Sequence, residues 1–317
     1  MKLVELTVRL EAYLALQQAL GFPLKARERL LRDFVSFIAA RDESGPVTAQ
    51  TALDWACATS ARCGAAGRTG RLSVARQFLL HLSALVPGTE VPGDGLLARP
   101  RRPKPFLFSS VEIQTLLLAA GKLKPTDSLR PHTTQTVLGL LASTGLRAGE
   151  SVRLEVSDVA LDADPPRLLV RGTKFRKSRL VPLHDSTATQ MRQYAQRRCD
   201  LHYDGLSDAF FVSEQGRHLH FSVLSRCFRR LMRELGLSAR YGSRGPSLHS
   251  LRHTLACSRL QAWQQEGADV PACLPHLAVY MGHAAVKDTY WYLTATPELL
   301  TTAADLFAVH AGWKEDQ

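Results

Sequence analysis

A short basic segment rich in proline divides this chain of 317 residues. Residues 97–105 read LARPRRPKP, with three prolines and four cations in nine positions. Proline fixes φ and lacks a backbone donor, so this stretch cannot continue a helix and should be extended and solvated. The sequence therefore predicts two domains, residues 1–97 and 107–317, joined by a linker over residues 98–106.

Positive charge is spread over both predicted domains. The chain carries 31 arginines and 9 lysines against 29 acidic residues, a formal net charge of +11, and residues 1–106 hold 15 of these cations and 9 of the acids. A pI near 9.7 is typical of nucleic-acid binding, and arginine can bind phosphate through two parallel hydrogen bonds. A GC-rich genome would give the same arginine excess. The linker cations are either a strap along a phosphate backbone or simply solvated: Arg99, Arg101, Arg102 and Lys104.

Simple patterns exclude several classes of protein. No apolar run approaches the roughly 18 residues that a membrane span needs. Charges interrupt the first residues, where a secretory signal would have its apolar core. The six cysteines are scattered, as expected of reduced thiols in a cytosolic protein. Two C-x-x-H pairs, at Cys199 and Cys273, are not brought together by any feature of the sequence, so no metal site is expected.

Apolar residues recur at helical spacing through most of the chain. We expect a mainly α fold with a small antiparallel sheet: a helical N-terminal domain, then an α+β domain. Helices are predicted over about 3–20, 30–38, 48–55 and 71–85, then from the cap at 109 or 110, and over 133–143, 186–198, 222–235, 248–266, 271–281 and 296–309; strands are predicted near 157–161, 167–172 and 179–183.

The residues suited to chemistry stand in one order in the second domain. No Walker loop, GxGxxG or GxSxG motif is present, so nucleotide-dependent and serine-hydrolase chemistry lack support. The remaining motifs are TGLRAGE at 144–150, a lysine at a predicted hairpin tip before RLVPL at 179–183, LHSLRH at 248–253, MGH at 281–283 and YWY at 290–292. No single motif is specific, but the set in this order is.

This order resembles the tyrosine recombinase, or phage integrase, family over about residues 106–296. The resemblance implies that the helical N-terminal domain clamps DNA beside a tyrosine-recombinase catalytic domain. It implies a tetramer on two double-stranded DNA sites, exchanging strands through a Holliday junction without metal or other cofactor. It also implies a bacterial cytoplasmic protein, acting at the nucleoid on behalf of a mobile element.

The resemblance assigns each motif a role in cutting a DNA phosphodiester. Such a reaction needs a nucleophile, cations that stabilise the phosphorane, and a proton donor for the leaving 5′-oxygen. Tyr292 would attack and form a 3′-phosphotyrosyl link, and Lys174 would protonate the leaving oxygen. Arg147 and Arg252 would bind the non-bridging oxygens. His249 would help to take the tyrosine proton, and His283 would hydrogen-bond the phosphate. Glu150 would orient the site.

These assignments have competitors. A histidine such as His249 is, taken alone, as well explained as a core residue, and Lys177 lies three residues after Lys174. Tyr290 competes with Tyr292 as the nucleophile, but residues two apart on a helix face nearly opposite sides. The family's spacing from the preceding G-H pair favours Tyr292 and leaves Tyr290 as a packing residue.

Further cations are predicted to contact the DNA backbone. Four arginines recur at helical spacing in the helix predicted over 222–235, where they line either a phosphate-facing surface or a solvated face. Two more cations follow the hairpin lysine. The full set is Arg226, Arg229, Arg230, Arg233, Arg176 and Lys177.

Three functions fit these patterns. The first is a site-specific recombinase that integrates or excises a mobile element, as a homo-tetramer alone or with sister recombinases. The second is a non-catalytic DNA-binding accessory protein of the same fold. The third is a type IB topoisomerase, which relaxes supercoils without a specific site. The complete set of candidate catalytic residues favours the first. The helix at 296–309 would dock on a neighbour or pack in cis.

Overall fold

The computed structural model describes residues 3–22, 25–41, 45–58, 64–98, 105–172, 178–238 and 245–293. The chain forms two compact units, Met1–Pro103 and Lys104–Gln317. Several predictions lie outside the described residues. They are the linker cations, the hairpin cations and the last helix: Arg99, Arg101, Arg102, Lys104, Lys174, Arg176, Lys177 and residues 296–309.

The first unit is helical, as predicted. Its core contains the fully buried rings of Phe34, Trp55 and Phe78. The last helix begins six residues before the predicted start at Arg71, because residues 65–70 are mostly exposed and carry no apolar periodicity that could reveal them. The four helices are α1 (Leu3–Ala19), α2 (Lys25–Ala39), α3 (Ala49–Cys57) and α4 (Ala65–Ser83).

The second unit combines helices with a three-stranded antiparallel sheet, which confirms the predicted fold class. Strand order is β1 (Val159–Ala160), β2 (Arg167–Val170), β3 (Arg179–Pro182). The helices are α5 (Ser110–Gly121), α6 (Leu129–Thr144), α7 (Ala148–Ser151), α8 (Asp185–Asp200), α9 (Phe221–Glu234), α10 (Leu248–Gln265), α11 (Val270–Met281) and α12 (Lys287–Leu293).

Helix α6 lies at the centre of this unit and packs against α5, α8 and α10. It begins four residues earlier than predicted because Ser128 caps it, accepting a hydrogen bond from the Arg130 amide. Pro131 is tolerated in the first turn, where its missing amide has no partner to lose. The predicted first strand is also shorter, since residues 156–158 form a 3₁₀ turn.

Two helices of the second unit end at glycines in the left-handed conformation. Gly145 follows α6 with φ 62°, and Gly282 follows α11 with φ 68°. Left-handed backbone closes a helix sharply and strongly favours glycine. These two ends lie at the site described below. No helix among the described residues is long and apolar enough to cross a membrane.

Candidate active site

A buried arginine joins the ends of α6 and α11. Arg252 is 1% exposed, and its Nη1 and Nη2 donate to the carbonyls of Gly145 and Met281, each at 2.6 Å. The carbonyls at a helix C-terminus carry partial negative charge, so both helix ends stabilise this guanidinium. Its Nε is also buried and finds no acceptor within the described ranges.

A second arginine reaches the same end of α11. Arg147 caps α7, and its Nη2 donates to the Gly282 carbonyl at 2.9 Å. Its Nη1 donates to Glu150 Oε1 at 2.8 Å, and its backbone amide donates to Glu150 Oε2 at 3.0 Å. The Arg147 side chain is 34% exposed whereas that of Glu150 is 3% exposed. The carboxylate is therefore a buried support for a guanidinium that still reaches solvent.

Arg179, which the sequence did not single out, completes the support. From β3, its Nη2 and Nη1 donate to the two Glu150 oxygens at 2.8 and 3.2 Å, and its Nε donates to the Tyr280 carbonyl at 3.0 Å. Burial alone would raise the pKa of Glu150, but Arg179 and Arg147 outweigh it and lower the pKa to about 2. The alternation of β3 could have revealed Arg179, because it shares a strand face with buried Val181.

The predicted nucleophile lies inward on α12, beside a neutral histidine. Tyr292 is 2% exposed, whereas Tyr290 is 52% exposed. The His283 ring lies nearly parallel to that of Tyr292, with centroids 6.1 Å apart, and its Nδ1 is 2.7 Å from the Thr289 hydroxyl. Burial, with the charges of Arg252 and Arg147, lowers the pKa of His283 to about 4. This imidazole is therefore uncharged at neutral pH.

Two histidines one turn apart on α10 lie beside these residues and, with Arg147, Arg252, His283 and Tyr292, form one cluster. His249 is exposed, and its ring lies edge-on to that of His253 with centroids 4.3 Å apart. His253 is partly buried, and its Nδ1 lies 3.2 Å from the Tyr292 hydroxyl. The sequence pointed to His249 only. His253 stands in the same LHSLRH motif, but its contact with α12 depends on how two helices pack.

An open groove of about 900 Å³ runs beside these residues. It is lined by Arg147, His249 and three exposed arginines of α9, with the rings of Phe221 and Phe228. The fourth arginine, Arg230, is exposed outside this lining and pairs with Glu234 at 2.6 Å. The structure thus brings three of the four predicted backbone-binding arginines of α9 to the groove: Arg226, Arg229 and Arg233.

Of the predicted catalytic residues, five lie in this one cluster and its groove. The sixth, the hairpin lysine Lys174, lies outside the described residues, between β2 and β3. Within the ranges that the structure describes, no group of three or more His, Cys, Asp or Glu side chains could hold a metal ion. The five are Arg147, His249, Arg252, His283 and Tyr292.

Comparison with known proteins identifies this arrangement. "Putative integrase/recombinase y4rB" of Sinorhizobium fredii is 40% identical over 300 residues, covering 92% of this chain and 94% of that protein. Two solved structures share the fold at under 25% identity. One is the XerH site-specific recombinase bound to a palindromic difH substrate (TM-score 0.67, 15% identical, 89% of this chain and 78% of that chain). The other is a lambda integrase tetramer bound to a Holliday junction (TM-score 0.61, 18% identical, 88% and 77%).

The match to the family as a whole is centred on the second unit. The model of the phage integrase family matches residues 108–298, which include every described residue of the cluster. Both the family match and the similarity to y4rB agree with the family that the order of the motifs indicates. The chain therefore belongs to the phage integrase family, the tyrosine recombinases.

Proposed function

We propose that this protein is a site-specific recombinase that cuts and rejoins DNA through a 3′-phosphotyrosyl intermediate. The observation that carries the proposal is the position of Tyr292. It is buried beside His283 and is close enough to Arg252 for the two groups to interact electrostatically. A tyrosine beside a fixed cation suits attack on a phosphodiester.

The two arginines are suited to gripping one phosphate. Arg147 and Arg252 bind the carbonyls of consecutive residues, Gly282 and Met281, so both guanidinium groups are fixed at the same helix end. Burial and the nearby Arg147 lower the pKa of Arg252 to about 10, so it stays charged at neutral pH but is poorly solvated. A phosphate oxygen would supply its buried Nε with the acceptor that it lacks among the described residues.

The neutral histidine can act as a further donor. When the Thr289 hydroxyl donates to His283 Nδ1, the imidazole carries its proton on Nε2, which is then available to a phosphate oxygen. A neutral donor stabilises charge developing on the phosphorane without adding a third cation beside Arg147 and Arg252.

The reaction needs no energy source because the bond energy is conserved. The Tyr292 hydroxyl loses its proton to a histidine of the site as its oxygen bonds to phosphorus and the bond to the 5′-oxygen breaks. Lys174 gives the leaving 5′-oxygen a proton. A 5′-hydroxyl from another strand then attacks the phosphotyrosine, which releases the tyrosine and reseals the backbone. No metal or other cofactor takes part in this scheme.

We extend the proposal to the assembly. Residues 1–97 would clamp the duplex, the linker 98–106 would follow its backbone, and residues 107–317 would carry the chemistry. A homo-tetramer, alone or with sister recombinases, would exchange strands through a Holliday junction to integrate or excise a mobile element. The fold shared with the lambda integrase tetramer on such a junction supports this assembly. We place the reaction at the nucleoid of a bacterial cytoplasm.

A covalent trap tests the chemistry. Nicked duplexes from the DNA that flanks the gene are incubated with the protein, so that a cleaved strand loses its 5′ end and cannot be resealed. We expect a denaturant-resistant protein–DNA adduct that Tyr292→Phe abolishes and Tyr290→Phe, changing the exposed neighbour, retains. An adduct that survives Tyr292→Phe would contradict the proposal. Absence of any adduct would favour an accessory protein, and relaxation of a random plasmid would favour a topoisomerase.

A further inference from the structure

A histidine outside the predicted catalytic set contacts the hydroxyl of Tyr292. His253 lies on α10, and its Nδ1 is 3.2 Å from the Tyr292 oxygen across the contact with α12. The two ring centroids are 5.5 Å apart at an interplanar angle of 61°. The imidazole is therefore directed at the phenol oxygen edge-on, as a hydrogen bond requires.

The other two histidines of the cluster have different surroundings. His283 Nδ1 is engaged with the Thr289 hydroxyl at 2.7 Å, and its ring lies nearly parallel to the phenol ring. His249 is exposed and lines the groove, where a bound DNA backbone would lie. These positions suit contacts with phosphate oxygens, whereas His253 faces the nucleophile itself.

A tyrosine hydroxyl normally has a pKa near 10, so it must give up its proton as it attacks. An efficient base lies about 2.6–3.2 Å from the proton-bearing atom and has a pKa near the working pH. We propose that His253 is a catalytic residue that takes the proton of Tyr292 during cleavage and returns it during religation. The proposal rests on the proposed function, in which Tyr292 is the nucleophile.

The proton transfer balances with the rest of the step. Before attack, His253 carries its proton on Nε2 and accepts the phenol hydrogen bond on Nδ1. As the phenol oxygen bonds to phosphorus, its O–H bond breaks and the proton moves to Nδ1, which gives an imidazolium. The 5′-oxygen leaves with a proton from the general acid. In religation the departing phenolate recovers its proton from the imidazolium, so His253 is ready for another cycle.

The aromatic neighbours of His253 favour this exchange. The Trp291 ring lies 5.1 Å from the His253 ring and 5.3 Å from that of Tyr292, measured between centroids. An aromatic ring within about 6 Å attracts a cation, so Trp291 stabilises the imidazolium that forms.

Two substitutions separate proton transfer from hydrogen bonding. Glutamine at position 253 can hold the phenol but cannot take its proton, whereas alanine can do neither. We expect His253→Gln and His253→Ala to slow single-turnover cleavage of the nicked substrate by similar factors, about 10²–10³, with DNA affinity and melting temperature near those of wild type. Near-normal cleavage by His253→Gln would overturn the proposal, because His253 would then only hold the tyrosine in place.

A more acidic nucleophile provides the second readout. A fluorinated tyrosine at position 292 needs less help to lose its proton, so it should reduce the rate penalty of His253→Gln at least tenfold. The matched control is His249→Gln, one helical turn away, whose penalty should not change on fluorination. An unchanged penalty for His253→Gln, or a reduced one for His249→Gln, would overturn the proposal. If the adduct instead survives Tyr292→Phe, it is the proposed function that fails.

Discussion

At the scale of single residues, Glu150 fixes the position of Arg147, a proposed catalytic residue. Its two oxygens accept hydrogen bonds from Arg147 and from Arg179, and its side chain is 3% exposed. A buried carboxylate between two guanidinium groups is costly to neutralise, because both partners would then be left without their counter-ion. Protonation of Glu150 should therefore loosen Arg147 and weaken the fold together.

The first prediction concerns acid stability. The pKa of Glu150 is about 2 in the folded chain against an ordinary value of 4.5, so its ionised form stabilises the fold above pH 4.5. This contribution is lost as the pH falls from 4.5 towards 2. Between pH 7 and pH 3.5, the wild-type protein should lose about 1 kcal/mol more unfolding free energy than Glu150→Gln.

Denaturant unfolding at a series of pH values measures this difference. Glu155→Gln is the matched control, because the Glu155 carboxylate is 50% exposed. Parallel curves for wild type and Glu150→Gln would contradict the prediction.

The sequence predicts the site residues that belong to a recognisable motif. It does not predict those whose place in the site depends on how two helices pack. Arg147, Arg252, His283 and Tyr292 could be picked out because their order along the chain is distinctive, and the structure brings them together. His253 gains its place from the contact between α10 and α12, which no local pattern encodes.

At the scale of elements, the glycine ends of α6 and α11 position the arginines through backbone carbonyls. Gly282 carries a second constraint, since a Cβ there would lie 2.6 Å from Arg179 Nη1 and 2.7 Å from its Cζ. Arg179 is 10% exposed and bound to Glu150, so it cannot move aside without loosening the carboxylate. The end of α11 therefore needs a glycine at position 282 to leave room for Arg179 of β3.

The second prediction uses two glycines with nearly equal backbone angles. Gly282→Ala and Gly236→Ala place a side chain at φ 68° and 69°, so both should lose about 1–2 kcal/mol to backbone strain. Only position 282 adds a clash, because a Cβ at Gly236 meets nothing within 4 Å. Gly282→Ala should therefore be less stable by thermal unfolding and should slow covalent cleavage at least tenfold, whereas Gly236→Ala should cleave normally. Equal cleavage by the two variants would show that Arg179 can relax.

Some helix boundaries were predictable from a capping box or a terminal glycine, although the Ser128 cap of α6 was missed. Ser109 and Glu112 form the capping box that starts α5, and Gly145 ends α6 as expected. No bounds were predicted for the short helices α7 and α12, because four and seven residues are too few for an apolar period to be recognised. Their stability comes from tertiary contacts, such as those of α12 with α10 and α11.

At the scale of the whole molecule, part of the positive charge behind the net +11 comes from arginines that line one groove. Three arginines of α9 line it together with Arg147. Each cation that neutralises a DNA phosphate releases counter-ions, so its loss reduces the salt dependence of binding. Arg230 offers a comparison on the same helix, since it is paired with Glu234 outside the groove lining.

The third prediction concerns binding to a duplex of random sequence. Arg229→Gln should lower the slope of log affinity against log salt by about one unit, as expected when one phosphate contact is lost. Arg230→Gln should change the slope less, because its charge is already compensated. Fluorescence anisotropy over a range of salt concentrations measures both slopes. A larger change for Arg230→Gln would place the DNA on the other side of α9.

The carbonyls that hold Arg252 come from residues 136 positions apart, Gly145 and Met281, and the proposed nucleophile lies further along the chain at Tyr292. Proteins are synthesised from the N-terminus, so Arg147 and Arg252 are made before Met281, Gly282 and Tyr292. A chain that ends before Tyr292 carries the arginines of the groove but lacks the proposed nucleophile. The order of synthesis therefore completes the basic groove before it completes the proposed active site.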